Sequence, residues 1–157
     1  FFLILPNLTN SEDKFIYSHN VRVIDGDSIE INKEKIRLFG IDAPEMKQIC
    51  NDKNNKPYAC GHTSRIFLLN YINKYSGSKI YCYYSERDRY KRIIGDCYIG
   101  ENNRRSINRW MVLNGHAVAY LRYSQKYLYS QEKAKDKKFG IWAGTFDIPE
   151  EWRKNNK

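Results

Sequence analysis

Between Phe15 and Ile41 three runs of β-branched and aromatic residues alternate with two turn signals, and this pattern constrains the fold more than any other feature. Phe15 to Ile24 reads as one strand. It stops at Asp25-Gly26, a pair that supplies the backbone freedom of a tight hairpin turn. Asp27-Ser28-Ile29-Glu30-Ile31 alternates in polarity and reads as the returning strand. Asn32-Lys33-Glu34 turns again, and Lys35 to Ile41 forms a third strand. Pro44 ends it, because a residue without an N–H cannot continue a central ladder.

Beyond this meander, Met46 to Ala59 is polar and reads as a loop. Leu68, Tyr71, Ile72 and Tyr75 recur at helical spacing, which predicts a helix over 63–75. Gly77 breaks it. Lys79 to Tyr84 and Arg92 to Ile99 read as a fourth and a fifth strand, joined by the charged Ser85-to-Lys91 segment. Ser106 is placed to cap a second helix that ends at Asn114-Gly115. His116 to Tyr120 suits one more short strand, and Ser124 is placed to cap a third helix running to Lys138. The expected class is α+β: a five-stranded OB-type β-barrel with three packed helices. An open antiparallel sheet covered on one face satisfies the same pattern.

The 157 residues suit one domain with its own core. We assign 1–14 to an N-terminal extension, 15–145 to the domain, and 146–157 to a C-terminal capping segment with Trp152 docked and a polar tail. Phe1-Phe2-Leu3-Ile4-Leu5 fits two descriptions, the remnant of a secretory signal or membrane anchor, or an apolar tail lying on the core. No apolar run reaches the ~18–20 residues that a transmembrane helix needs. The net charge of +9 points to an anionic partner, most commonly nucleic acid.

The four cysteines, Cys50, Cys60, Cys82 and Cys97, lack the C-x-x-C spacing of zinc ribbons and thioredoxin-like sites. Cys50 and Cys60 bracket a polar loop, and Cys82 and Cys97 lie in neighbouring strands. Local pairing is therefore Cys50–Cys60 and Cys82–Cys97, which would imply an oxidising compartment, secreted or periplasmic. Four free buried thiols in a cytosolic protein are the competing description.

G-x-S-x-G, P-loop and G-x-G-x-x-G motifs are absent, so acyl transfer and nucleoside triphosphate chemistry lack local support. Five charged residues form a different set. Asp27 and Asp42, near strand ends, offer hard oxygens suited to Ca²⁺ or Mg²⁺. Glu45 is placed to poise a water. Arg37 and Arg92 offer planar forks of donors that match phosphate oxygens. Phosphoryl transfer needs little beyond a positioned nucleophile and cationic stabilisation of the developing charge. The same five residues would also make an ordinary salt-bridged surface, and spacing alone does not choose.

The chain resembles the staphylococcal nuclease (thermonuclease) family. The resemblance is carried by Val23-Ile24-Asp25-Gly26-Asp27-Ser28-Ile29 and by Ile36-Arg37-Leu38-Phe39-Gly40-Ile41-Asp42-Ala43-Pro44-Glu45. Asp88-Arg89-Tyr90-Lys91-Arg92, Asn114-Gly115-His116-Ala117-Val118-Ala119-Tyr120 and Gly140-Ile141-Trp142 extend it across residues 15–145. It implies an OB barrel with three helices and a calcium-dependent endonuclease that cleaves DNA and RNA and leaves 3′-phosphate ends. It further implies that Asp27 and Asp42 ligate Ca²⁺ with the carbonyl of Ala43, while Asp25 supports them from behind. Glu45 would be the general base, and Arg37 and Arg92 would bind the scissile phosphate. Tyr90 resembles a nucleotide-touching position, and Tyr120 and Tyr123 are candidates for base stacking. Ser28 departs from the usual Thr, and the long loop with its two cysteines departs from the best-known member. A monomer is expected. The alternative is a non-catalytic nucleic-acid-binding OB module, which would have no use for Glu45 beside Asp42; a purely structural domain would bind neither metal nor DNA.

Overall fold

The computed structural model describes residues 14–102 and 104–157. The apolar segment Phe1–Leu5 and the remnant-or-tail question it raises lie outside the described residues.

The meander forms with two of its three expected strands divided: the run from Lys35 to Ile41 breaks at Phe39-Gly40, where Gly40 takes a φ of 71°. The run from Phe15 to Ile24 is two strands, β1 (Lys14–Ser18) and β2 (Val21–Asp25), separated at His19-Asn20. The Ser18 hydroxyl accepts from the Asn20 amide at 2.9 Å, a local bond that competes with continued extension. β3 (Ser28–Ile31) pairs antiparallel with β2 and with β4 (Glu34–Leu38). The β3–β4 turn places Asn32 and Lys33 at φ 51° and 67°, the left-handed pair that a two-residue hairpin matching strand twist requires.

After β4 come a two-residue strand β5 (Ile41–Asp42), then β6 (Cys50–Asn51) and β7 (Pro57–Tyr58), which pair with each other inside the expected loop. Helix α1 (Cys60–Lys74) starts three residues earlier than its apolar periodicity suggests, directly at the cysteine bridged to Cys50. β8 (Ile80–Tyr84) and β9 (Ile93–Ile99) follow, then β10 (Arg105–Ser106) and α2 (Ile107–Leu113). Ser106 caps α2 as expected, accepting from the Arg109 amide at 3.1 Å. β11 (Val118–Ala119) precedes α3 (Leu128–Asp136), a 3₁₀ turn spans Gly140–Ala143, and α4 (Pro149–Asn155) ends the chain. Ser124 does not cap α3. Its hydroxyl accepts from the Lys126 amide at 3.1 Å, closing a turn that delays the helix to Leu128.

The main sheet runs β1-β8-β9-β4-β3-β2. Its two outer strands are joined by only His19 and Asn20, so the sheet curls until its ends meet at that corner. β4 and β9 pair in parallel, Arg37 opposite Ile94. The architecture is the α+β, OB-type arrangement, with α4 as an added fourth helix. β9 alternates strictly, with Ile93, Gly95, Cys97 and Ile99 facing the interior. There they meet Ile29, Ile36 and Leu38 from the meander, Leu68 from α1, and Ile107 and Met111 from α2. Both expected bridges are formed, Cys50–Cys60 and Cys82–Cys97, and among the described residues no free cysteine remains. No described helix is long and apolar enough to cross a membrane.

Candidate active site

The site lies where the β2–β3 turn, the end of β4, β5 and the loop after it converge. Gly26 makes that approach possible: a Cβ there would stand 2.0 Å from Ser64 Oγ of α1 and 2.7 Å from the Ala43 Cβ. Asp25 and Asp27 flank it. The Asp27 amide donates to Asp25 Oδ1 at 3.1 Å. Burial, then the neighbouring charge of Asp27, pushes the Asp25 carboxyl up to about 7.

Asp27 is itself buried. Its Oδ2 accepts from the Ala43 amide at 2.7 Å, and its Oδ1 accepts from the Ser28 hydroxyl at 3.1 Å. The serine that stands where the family commonly has threonine therefore still supplies a hydroxyl here. Asp42 is 1% exposed. β11 holds it in place, with Val118 opposite Asp42 and Ala119 opposite Ile41. Burial pushes the Asp42 carboxyl up to about 6, against the opposing pull of the Arg153 and Arg37 guanidiniums.

Arg37 does not face solvent. One terminal nitrogen donates to the Ile41 carbonyl at 2.9 Å, while the other donates to Asp42 Oδ1 at 3.1 Å and pairs with Asp27 Oδ2 at 3.2 Å. One guanidinium thus clamps two aspartates that stand fifteen residues apart. Glu45 sits just beyond, and its amide donates to Gln48 Oε1 at 3.1 Å. Helix α1 presses on its backbone: a Cβ at Gly61 would lie 1.8 Å from the Glu45 carbonyl oxygen. The Cys50–Cys60 bridge fastens the same loop to the start of α1.

Four of the five residues selected from sequence are therefore neighbours. Arg92 stands apart from their bonding. Its Nε donates to Asp88 Oδ2 at 2.7 Å and its amide donates to Asp88 Oδ1 at 3.0 Å. It immediately precedes Ile93, the first residue of β9, which pairs with Ile36 of β4, so it lies just outside the strand that runs beside β4. Tyr90 is exposed, with Arg89 and Arg92 over its ring at 4.8 and 5.7 Å. The Tyr120 amide donates to the Gly40 carbonyl at 2.9 Å, and its ring meets that of exposed Tyr123 edge-on at 4.8 Å.

Sequence reasoning missed two participants. Buried Gln48 donates through its side chain to the Asp147 carbonyl at 2.7 Å, tying the Glu45 loop to the C-terminal segment. That segment carries Arg153, whose guanidinium donates to Asp42 Oδ1 and Oδ2 at 2.8 and 3.0 Å and to Glu45 Oε1 at 2.8 Å. The Pro149-Glu150-Glu151 start and the Arg153-Lys154 end of α4 form the charge asymmetry that favours a short helix. That signal finds the helix but does not reveal where it docks.

Among the described residues, no group of three or more His, Cys, Asp or Glu side chains is arranged as a metal cage. The donors present still suit a hard cation. Asp27 and Asp42 converge within 3.2 Å of one Arg37 nitrogen, and carboxylate oxygens are the ligands Ca²⁺ prefers. They fit an ion held by few protein oxygens, with water completing its shell.

Residues 35–144, which include Arg37, Asp42, Glu45 and helices α1 to α3, match the family described as staphylococcal nuclease homologue. The chain belongs to that family. This nuclease-family chain is 37% identical over 122 residues to the succinoglycan biosynthesis protein ExoI of Rhizobium meliloti, covering 76% of this chain and 61% of that protein. It is 31% identical over 140 residues to an uncharacterized endonuclease of Escherichia coli, covering 85% of this chain and 82% of that protein. It is 30% identical over 149 residues to the staphylococcal-like nuclease CAN1 of Arabidopsis thaliana, covering 92% of this chain and 41% of that protein.

Proposed function

We propose that this chain is a calcium-dependent endonuclease hydrolysing phosphodiester bonds of DNA and RNA to leave 3′-phosphate ends. The observation that carries the reading is the Arg37 clamp on Asp27 and Asp42 with Glu45 beside it, in a chain of this family. A nucleic-acid-binding module without catalysis has no need to bury Asp27 and Asp42 around one guanidinium. The working unit is the domain over 15–145 with the 146–157 segment closing one side of the site, secreted or periplasmic and acting as a monomer. The two bridges support an oxidising compartment.

Asp27 and Asp42, with the Ala43 carbonyl, would hold Ca²⁺, and Asp25 orients Asp27 through the Asp27 amide. When bound, the cation supplies electrostatic stabilisation of the charge that builds on the phosphate. The chain's own residues do the rest. Arg37, anchored on the Ile41 carbonyl, presents a fixed cation to the scissile phosphate, so little reorganisation is required as charge develops. The Glu45 carboxylate, on a side chain about a third exposed, receives the proton of the attacking water. Arg92, oriented by Asp88, binds a second phosphate oxygen. Tyr90 and the Tyr120–Tyr123 pair offer faces on which bases stack.

The test is digestion of plasmid DNA and of a labelled RNA with Ca²⁺ or with EGTA, followed by polymerase extension of the products before and after phosphatase treatment. Cleavage with Ca²⁺ only, and extension only after phosphatase, is the expected result. Full cleavage in EGTA, or products extended without phosphatase, would overturn the assignment.

A further inference from the structure

The Arg153 guanidinium spans Asp42 and Glu45 with three hydrogen bonds. A carboxylate offers about four acceptor positions. On Asp42 three are filled, two by Arg153 and one by Arg37. The helix that carries Arg153 is held independently, by Gln48 on the Asp147 carbonyl and by an ion pair between Arg122 and Glu150. Arg153 stands in the last turn of α4, where the helix dipole favours a cation. Its side chain is 34% exposed, so it can leave the carboxylates without opening the core.

We propose that Arg153 is a displaceable internal cation of the site, which neutralises Asp42 and Glu45 until a divalent cation takes Asp42. The guanidinium and the metal exclude one another there, because both need the Asp42 oxygens and like charges repel at that range. The proposal rests on the metal reading given above. It makes Arg153 a positioning residue that acts through Asp42 and Glu45, and it makes the apparent metal affinity a difference between two bound states. Removing the internal competitor tightens the external one.

Calorimetric titration of the full chain with Ca²⁺ tests this. Arg153→Gln should bind Ca²⁺ roughly tenfold or more tightly than the wild type, within the usual range of coupling between sites. The rise in melting temperature caused by Ca²⁺ should also be larger in Arg153→Gln, since its metal-free Asp42 has lost a partner. Arg153→Lys, which keeps the charge without the two-point grip, should fall between. Asp42→Asn should abolish binding in both backgrounds, which assigns the titrated site. In the unaltered protein, the guanidinium NMR signals of Arg153 should move from hindered to averaged rotation as Ca²⁺ is added, a readout that needs no variant. Equal affinities in wild type and Arg153→Gln, or unchanged Arg153 signals at saturating Ca²⁺, would overturn the competition and leave the metal reading intact. No binding heat in either protein would overturn both.

Discussion

Asp42 and Arg153 are 111 residues apart in sequence and meet in a two-point ion pair, Oδ1 to one terminal nitrogen at 2.8 Å and Oδ2 to the other at 3.0 Å. The pair joins the two-residue strand that carries the site to the last helix of the chain. Burial drives the Asp42 carboxyl upward, and Arg153 opposes it. In Arg153 burial works against the charged form, yet its bonds to Asp42 and Glu45 push the guanidinium further up. The most buried carboxyl of the site therefore depends on a residue outside residues 35–144, the part of the chain that matches the family.

Glu45→Gln should keep the fold and most of the nucleic-acid affinity, while kcat falls by about 10²-fold or more, the range of a positioned general base. Arg37→Lys should be as harmful, because an ammonium cannot bridge the Ile41 carbonyl, Asp42 and Asp27 together. Steady-state kinetics on a defined oligonucleotide separates kcat from KM. Unchanged turnover in Glu45→Gln would remove that residue from proton transfer.

Gly61→Ala tests how α1 sets the Glu45 loop. The new methyl would meet the Glu45 carbonyl oxygen and the Met46 Cα. Neither is the movable end of a side chain, so the loop must shift. Overpacking of this kind costs roughly 1–3 kcal/mol. Displacing Glu45 should lower kcat by up to about 10²-fold. Thermal melting and kcat should fall together, and normal activity in a folded Gly61→Ala protein would show that this contact does not position Glu45.

The two bridges should separate in their effects. Cys82 and Cys97 face each other across β8 and β9, fully buried in the core. A closed loop of this size is worth about 3 kcal/mol through the unfolded chain. Cys82→Ala with Cys97→Ala should lower the melting temperature and leave kcat near normal at low temperature. Cys50→Ala with Cys60→Ala frees the Glu45 loop from α1 and should lower kcat as well. Paired melting and activity measurements decide, and identical losses in the two double variants would contradict the assignment.

His116 gives the acid limit of stability. Its ring stacks on Phe67 at 3.9 Å, and burial pushes its imidazole down to about 4 from an ordinary 6.5. The unfolded chain therefore binds the proton first. Stability from this residue is complete above pH 6.5 and is lost as the pH falls towards 4, at most roughly 1.4 kcal/mol per pH unit. His116→Phe should flatten denaturant-derived stability across that window. An unchanged slope in the variant would place the acid sensitivity elsewhere.

The parts of this site that were legible in sequence are those set by local rules. Asp25-Gly26-Asp27 is a turn because its neighbours are strands, and Asp42-Ala43-Pro44-Glu45 ends a strand because proline cannot extend one. Both place carboxylates at strand ends, and the parallel register of β4 with β9 sets Ile93, the neighbour of Arg92, opposite Ile36, the neighbour of Arg37. The break at His19-Asn20 was hidden because both flanking runs have strand composition, and a single serine bond decides the bend. Ser124 resembles a cap, but its hydroxyl serves a turn that begins four residues before the helix. Arg153 was illegible for a different reason. Its helix is recognisable from Pro149 and the following charges, but its partner is chosen by tertiary docking through Gln48 and Arg122.

A cation-dependent cleavage site at Asp27 and Asp42 under the Arg37 clamp requires both the cation and the Asp42 carboxylate for turnover. The most direct measurement is the cleavage rate of one labelled DNA strand as Ca²⁺ is titrated, for the wild type and for Asp42→Asn. The expected result is a saturable rise with Ca²⁺ in the wild type, full reversal by EGTA, and at least about a 10²-fold lower plateau in a folded Asp42→Asn protein. A wild-type rate independent of Ca²⁺, or an Asp42→Asn plateau equal to the wild type, would contradict it.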